Sequence, residues 1–213
     1  MKFYGYFRSS AAYRCRIALN LKGLTPELAF VHLRKGEQRS ANFLALNPQG
    51  FVPALEIGGE VLTQSLAIIE YLEETHPSPP LLPSDLLDRA HVRALALSIA
   101  CDIHPLQNLR VLNHLREEFG QDQAGIDRWA RRWIESGLSA YEATLIASGR
   151  SGAFSFGDAP TLADICLIPQ VFGAQRFGAD ISGLKTIARI TTHAEAHPAF
   201  YAAHPSRQPD TEV

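Results

Sequence analysis

The feature that most constrains the fold of this chain is the close succession of a strand, two serines and a helix near its N-terminus. The apolar run from Phe3 to Tyr6 is typical of a β-strand, and the helical pattern behind it ends at Lys22-Gly23. Ser9 and Ser10 come directly before this helix, where a serine oxygen accepts an unpaired N–H group of the first turn. Because the N-terminal end of a helix dipole is positive, the place attracts anions, including a thiolate brought by a ligand. The pattern therefore predicts either an anion site or a simple helix cap.

Composition narrows the class of protein. With 46% hydrophobic and 20% charged residues, the 213-residue chain resembles an average soluble globular protein. The net charge of −2 gives no reason to expect a nucleic-acid or membrane partner, and we see neither a bilayer-spanning run nor a signal-peptide pattern. The three cysteines, at 15, 101 and 166, predict neither a disulfide framework nor a metal site because they lie far apart. We expect a reduced, cytoplasmic setting.

The first third of the chain predicts a small mixed sheet covered by helices. Gly58-Gly59 between two short apolar runs indicates a β-hairpin, and Asn47-Pro48-Gln49-Gly50 is typical of a turn. Further strands are expected at 28–33, 54–57 and 61–63, and further helices at 40–46 and 65–74.

A proline-rich segment at 77–84 predicts a domain boundary, because clustered prolines cannot continue a helix and stiffen a linker. Behind it we find only helical periodicity. Thr161-Leu162-Ala163-Asp164 resembles a capping box, and the apolar run behind it predicts a buried central helix. The other helices are expected at 85–119 with a kink at Pro105, at 127–147 and at 184–196, followed by a polar tail.

The combination of motifs resembles one family closely. Arg8-Ser9-Ser10 and the following Arg14 and Arg16-Ile17-Ala18-Leu19 are similar to the active-site signature of the zeta-class glutathione transferases, the maleylacetoacetate isomerases. That signature usually carries a cysteine where this chain has Ala11. The run from Gln64 to Leu72 matches the family entirely, and Pro105 to Leu109 and Arg207 to Thr211 also echo it.

The resemblance implies the glutathione transferase fold, an α/β N-terminal thioredoxin-like domain plus an all-α C-terminal domain. The glutathione-binding domain is expected at 1–76, the linker at 77–84 and the helical substrate-binding domain at 85–213. The resemblance also implies a homodimer.

The resemblance further implies glutathione as cofactor and names its ligands. Ser9, Ser10 and Arg8 are the expected catalytic residues, among which Ser9 stabilises the thiolate. Gln64 and Ser65 are expected to hold the γ-glutamyl end at a helix N-terminus, and Gln38 the other end of the tripeptide. In the family fold a cis bond before the proline that matches Pro53 leaves the backbone of Val52 free to pair with the peptide ligand.

The arginines of the chain indicate that the substrate carries carboxylates. A lone arginine is usually a solvated surface charge. Arg8 beside the serines, together with Arg110 and Arg176 in apolar helical surroundings, nevertheless predicts a cationic pocket, since planar guanidinium groups suit carboxylates. Arg110 is our own inference from the residues, whereas Gln107 belongs to a matching motif and His104 adds a polar contact or lies on the surface.

These features predict a glutathione-dependent cis–trans isomerase of a maleyl keto-acid, either maleylacetoacetate or maleylpyruvate, in the catabolism of aromatic compounds or tyrosine. Two alternatives stay open: a general glutathione transferase that conjugates small electrophiles, and a non-catalytic glutathione-binding protein. A disulfide oxidoreductase is disfavoured because Ala11 and Ala12 stand where its thiol is needed and Cys15 lies well inside the helix.

Overall fold

A computed structural model describes residues 1–212 and shows a four-stranded mixed sheet with helices, followed by a mostly helical part. The strands are β1 (Lys2–Gly5), β2 (Glu27–Phe30), β3 (Ala54–Ile57) and β4 (Glu60–Thr63). The α-helices, in chain order, are α1 (Ser10–Leu21), α2 (Ala41–Leu46), α3 (Ser65–Thr75), α4 (Leu86–Leu97), α5 (Leu109–Glu117), α6 (Gln123–Ser148), α7 (Leu162–Phe177), α8 (Lys185–Ala196) and α9 (Pro198–Ala203). Short 3₁₀ turns cover Leu33–Lys35, Glu37–Arg39, His104–Gln107 and Pro205–Arg207, and a π-helical turn covers Ser98–Ile103.

The sheet confirms the predicted fold class. Its strand order is β2-β1-β3-β4, in which β1 and β2 are parallel and the other pairs are antiparallel. Gly58 and Gly59 join β3 to β4 with φ of +61° and +85°, a conformation that glycine adopts without steric cost. β2 ends earlier than predicted, at Phe30, because the chain turns into a 3₁₀ segment, in which Nδ1 of His32 accepts from the N–H of Lys35 at 3.1 Å.

Contacts divide the chain into two units, residues 1–81 together with residues from 197 onward, and residues 82–196. This division differs from the predicted boundaries at both ends of the helical part. The tail predicted to be merely polar contains α9, which packs on α1 in the N-terminal unit. The beginning of the linker also belongs to that unit, since the N–H of Leu81 donates to Glu73 on α3 at 2.9 Å. Residue 213, which the predicted helical domain included, lies outside the described residues.

In the helical unit, α7 is the central element, as predicted, and is buried nearly all round. Its N-terminus is fixed by Asp164, whose carboxylate accepts hydrogen bonds from the N–H and O–H of Thr161 and from the N–H of Ser155. The single helical segment predicted at 85–119 is wrong. It is broken between α4 and α5, because Pro105 lacks an N–H group and its ring clashes with the preceding turn of a helix. Within residues 1–212, no helix combines the length and apolar character that crossing a membrane requires.

A buried ion pair ties α1 to α3 in the N-terminal unit. The Lys22 ammonium lies 2.6 Å from the Glu73 carboxylate and donates at 2.6 Å to the carbonyl oxygen of Pro79. The Lys22 side chain is fully buried, whereas the Lys2–Glu27 pair at 2.8 Å is exposed. Removing one partner of a buried pair leaves a charge without compensation, but an exposed pair is screened by water.

We predict that Lys22→Met lowers the free energy of unfolding by about 3–5 kcal/mol, because it leaves Glu73 buried without its cation. Urea denaturation monitored by far-ultraviolet circular dichroism measures the change. Lys2→Met is the matched control and is expected to leave the free energy nearly unchanged. Equal effects of the two substitutions would contradict the structural role of the buried pair.

Candidate functional site

The N-terminus of α1 provides hydrogen-bond donors for an anion. Ser9 is the N-cap, and its Oγ accepts from the N–H of Ala12 at 3.2 Å, which leaves the hydroxyl proton available to donate. The N–H groups of Ser10 and Ala11 have no acceptor within residues 1–212, as expected for a first helical turn. Arg8, half-buried, precedes Ser9 directly, and its guanidinium lies over the ring of Phe7. The predicted cap is therefore confirmed. The hydroxyl of Ser9 and the N–H groups of Ser10 and Ala11 are the three donors at this helix end.

Arg14, one turn further along α1, is the functional candidate that sequence reasoning missed. It is only 2% exposed, and its one hydrogen bond in the described chain is a long one, at 3.4 Å, from Nη1 to the hydroxyl of Ser65 on α3. Its Nε and Nη2 are buried without an acceptor. A buried cation without an anion is costly, so this arrangement favours a carboxylate ligand. The sequence signal was an arginine among apolar residues on the buried face of α1.

A second buried arginine on α1 differs in this respect. Arg16 is 7% exposed and donates to the carbonyl oxygens of Tyr6 at 3.3 Å, Phe7 at 2.9 Å and Ala203 at 3.0 Å. Burial lowers its pKa to about 10, and the negative charge of Asp210 counteracts that shift. Arg16 therefore has a structural set of acceptors, whereas Arg14 lacks one.

The N-terminus of α3 lies beside Arg14, to which Ser65 is hydrogen-bonded, and the N-cap residue before it is strained. Gln64, the N-cap, has a φ of +68°, a backbone conformation that non-glycine residues rarely adopt. Its side chain donates to Oε1 of Gln49 at 2.9 Å and does not cap the helix. The first N–H groups of α3 are thus left for another acceptor, and backbone strain of this kind clusters at functional sites.

The remaining predicted cofactor ligands of the N-terminal unit lie before β3 and in the 3₁₀ turn at 37–39. The Val52–Pro53 bond is cis, as the family resemblance implies. The N–H and C=O of Val52 have no partner within the described part of the chain. Gln38 packs against Gly50, whose φ of +63° and close approach to the Gln38 carbonyl exclude a side chain there. The Oε1 atom of Gln38 is buried without a donor.

In the helical unit, the predicted substrate ligands occupy the broken region and α7. Gln107 is buried and donates to Oε1 of Gln170 on α7 at 2.7 Å, which leaves Gln107 Oε1 and Gln170 Nε2 without partners. His104 is half-buried at the start of the 3₁₀ turn, and Arg110 is exposed in the first turn of α5. Arg176 is exposed in the last turn of α7, with its guanidinium 4.6 Å from the ring centroid of Phe177.

The cysteine of α1 lies well inside the helix and not in its first turn. Cys15 is fully buried inside α1, where its Sγ contacts the carbonyl oxygen of Ser65 at 3.7 Å. Among the residues that the structure describes, no three His, Cys, Asp or Glu side chains are grouped to hold a metal ion. The donors at the N-termini of α1 and α3, with the buried guanidinium of Arg14, define the candidate site.

Comparison with known proteins gives matches over the full chain. A family model described as glutathione S-transferase, N-terminal domain, matches residues 8–75. The maleylpyruvate isomerase of Ralstonia sp is 49% identical over 211 residues, which cover 99% of this chain and 100% of that protein. The maleylacetoacetate isomerase of Pseudomonas aeruginosa is 50% identical over 214 residues, covering 99% of each.

Solved structures agree with these matches. The holo structure of a maleyl pyruvate isomerase, described as a bacterial glutathione S-transferase in the zeta class, has a TM-score of 0.98 at 49% identity and covers 100% of both chains. The maleylacetoacetate isomerase of Methylobacterium extorquens AM1, solved with bound malonate and glutathione, has a TM-score of 0.97 at 45% identity, again over 100% of both chains.

We predict opposite stability effects for the two buried arginines of α1. In buffer free of multivalent anions, Arg14→Met is expected to raise the free energy of unfolding by about 1–4 kcal/mol, because it removes a buried charge that lacks an anion. Arg16→Met is expected to lower it by about 3 kcal/mol or more, because the buried carbonyl groups of Phe7 and Ala203 lose their donor and that of Tyr6 keeps only the N–H of Ser9. Urea titrations of the two variants and the parent measure both changes. A loss of stability in Arg14→Met equal to that in Arg16→Met would show that Arg14 has a purely structural role.

Proposed function

The chain belongs to the zeta-class glutathione transferase family, and from this we propose that it is a glutathione-dependent cis–trans isomerase of a maleyl keto-acid. Two full-length relatives with this kind of activity in their names, at 49% and 50% identity, support the proposal. These two identities do not separate maleylpyruvate from maleylacetoacetate, so the substrate is proposed as a class. Aromatic-compound or tyrosine catabolism is the proposed setting.

The observation that carries the proposal is the buried guanidinium of Arg14 beside Ser65. Two of its nitrogen atoms lack an acceptor, and glutathione carries the carboxylates that this place lacks. The free N–H groups of α3 and the unpaired backbone of Val52 also suit a peptide ligand, because a carboxylate binds at a helix N-terminus and an extended peptide pairs with a free strand edge. We therefore propose that Arg14, Gln64 and Ser65 hold the γ-glutamyl end, and that Val52, Pro53 and Gln38 hold the rest.

Ser9 is the proposed catalytic residue at the sulfur atom. Bound glutathione supplies a thiolate whose reversible addition to the cis double bond allows rotation about that bond. The hydroxyl of Ser9 donates to the sulfur and lowers the pKa of the thiol, with help from the positive end of α1. Ser10 contributes its N–H in the first turn. Because Ala11 replaces the family cysteine, this activation depends on Ser9 and the helix alone.

The arginines are the proposed carboxylate ligands. A maleyl keto-acid carries two carboxylates, which lose hydration on binding and need fixed donors in return. We assign this role to Arg8, Arg110 and Arg176, with polar contacts from His104 and Gln107. The malonate in the Methylobacterium relative, a small dicarboxylate, supports this assignment. We also propose a homodimer in the cytoplasm, a setting that suits three cysteines outside any disulfide.

The first functional prediction concerns recycling of the cofactor. If glutathione is regenerated in each cycle, a sub-stoichiometric amount is expected to sustain many turnovers, and S-methylglutathione is expected to inhibit. Ultraviolet assays with maleylacetoacetate and maleylpyruvate, measured side by side, test this dependence and identify the preferred acid.

The same assay separates the alternatives. Consumption of one glutathione for each product would indicate a conjugating transferase, and glutathione binding without turnover of either acid would indicate a non-catalytic binding protein. The total glutathione thiol, titrated before and after the reaction, distinguishes these outcomes.

The second functional prediction concerns the carboxylate ligands. Arg8→Met and Arg176→Met are each expected to lower kcat/KM for the maleyl acid by about ten- to a hundredfold, since a charged hydrogen bond contributes about 1.5–3 kcal/mol. Arg110→Met is expected to act in the same direction. The glutathione Kd, measured by calorimetry, is expected to stay close to that of the parent in all three.

Arg116→Met provides the matched control for these variants. Arg116 is exposed on α5, the helix that carries Arg110, and donates to Asn113 at 3.1 Å and Gln123 at 3.2 Å. Its loss is expected to leave kcat/KM unchanged. If the three proposed ligands behave like this control, the cationic-pocket assignment is wrong.

A further inference from the structure

The last part of the chain returns to the N-terminal unit and packs on α1. We name residues 197–212 the C-terminal strap. Nδ2 of Asn20 donates to the carbonyl oxygen of Ala199 at 2.9 Å, and Nε of Arg16 donates to that of Ala203 at 3.0 Å. The ring of His204 meets the ring of Tyr13 edge-on, at 6.1 Å between centroids. Each turn of α1 is thus joined to the strap.

Beyond α9 the strap is shaped by its own hydrogen bonds. Nε2 of Gln208 donates to the carbonyl oxygens of Ala202 at 2.9 Å and His204 at 3.0 Å. The N–H of Thr211 donates to the carbonyl oxygen of Gln208 at 3.0 Å, and its hydroxyl donates to that of Pro205. This local structure places Asp210 against the turn between β1 and α1.

That turn has little regular structure of its own. The N–H of Ser9 donates to the carbonyl oxygen of Tyr6 at 3.0 Å, and the side chains of Tyr6 and Phe7 are buried. The N–H of Phe7 donates to Oδ2 of Asp210 at 2.9 Å, across 203 positions in sequence. Nη2 of Arg16 binds the carbonyl oxygen of the same Phe7 at 2.9 Å. Both backbone polar groups of Phe7 are therefore held by side chains.

Arg8 and Ser9 directly follow Phe7, whose N–H and C=O are both held. From this geometry we propose that Asp210 is a positioning residue for the reaction, which holds the backbone of Phe7 so that Ser9 and Arg8 are correctly placed. The inference rests on the proposed function, because that function gives Ser9 and Arg8 their roles. Misplacing a catalytic group by about 1 Å can reduce a rate by about a hundredfold.

The negative charge of Asp210 also supports its place beside the turn. Asp210 is half-buried, and its negative charge raises the pKa of the Arg16 guanidinium against the effect of burial. The carboxylate therefore contributes twice, once as an acceptor for Phe7 and once as a negative charge near the buried guanidinium of Arg16. An amide at position 210 retains the first contribution and loses only the second.

The test compares three variants with the parent. Asp210→Ala removes the acceptor, and Asp210→Asn keeps an acceptor oxygen of the same shape. Glu212→Gln is the control within the strap, since Glu212 pairs with His32 and Arg34 and not with the turn. Ser9→Ala gives the reference value for a bound thiol without its hydroxyl donor.

The readouts separate positioning from simple stability. The pKa of bound glutathione is measured by thiolate absorbance, its Kd by calorimetry, and kcat and KM by the isomerase assay. Asp210→Ala is expected to raise the thiol pKa towards that of Ser9→Ala and to lower kcat by about tenfold or more. Its glutathione Kd is expected to stay within about twofold of the parent, because a hydrogen bond at the turn does not contact Arg14 or Ser65. Asp210→Asn is expected to recover most of both losses.

Several results would overturn the proposal. A parent-like thiol pKa and kcat in Asp210→Ala, with only a lower thermal midpoint, would reduce Asp210 to a structural contact. An equal loss in Glu212→Gln would assign the effect to the strap as a whole. If Asp210→Ala does not fold, hydrogen exchange of the Phe7 amide is measured in the parent. Rapid exchange would exclude the hydrogen bond from Phe7 to Asp210 and overturn the proposal. The thiol titration requires only that glutathione binds. Absence of isomerase activity in the parent would therefore refute the proposed function, and the titration would still test whether Asp210 positions Ser9.

Discussion

The guanidinium of Arg16 is the interaction on which the N-terminal unit depends. Its three donors bind carbonyl oxygens of Tyr6 and Phe7, where β1 has just ended, and of Ala203, in the last turn of α9. Carbonyl groups in such places have no partner in a ladder or helix and need a donor from elsewhere. One buried side chain thus joins the turn before the candidate site, the helix α1 and the C-terminal strap.

Arg14 and Arg16 show how the same residue type takes two different roles on one helix. Both are buried, but only Arg16 has its guanidinium group matched by acceptors of the chain. A protein rarely leaves a buried charge unmatched unless something else supplies the counter-charge. The contrast separates the structural arginine from the one that we assign to the ligand, and it does so without any comparison to relatives.

Further energetically unfavourable features lie at residues that we assign to the cofactor or the substrate. Gln64 has a positive φ at the start of α3, and Oε1 of Gln38 is buried without a donor. In the helical unit, the Gln107–Gln170 pair leaves one acceptor and one donor unmatched. Each of these three features involves a residue that we assign to cofactor or substrate. Strain and unsatisfied groups of this kind persist where function requires them.

Local chemistry in the sequence determined the Ser9 cap, the Gly58-Gly59 hairpin, the capping box at Thr161 and the buried character of α7, because each depends on neighbouring residues and on periodicity. The family motifs added the cofactor and the class of reaction. Only the tertiary structure decided the break between α4 and α5, the return of the strap to α1, the missing acceptors of Arg14 and the bond from Phe7 to Asp210. These features depend on groups far apart in the chain, up to 203 positions for the last, and a contact at such separation leaves no spacing pattern to read. A polar tail and a lone arginine look alike in sequence whether they face solvent or complete a site, since burial and partners exist only in the folded protein.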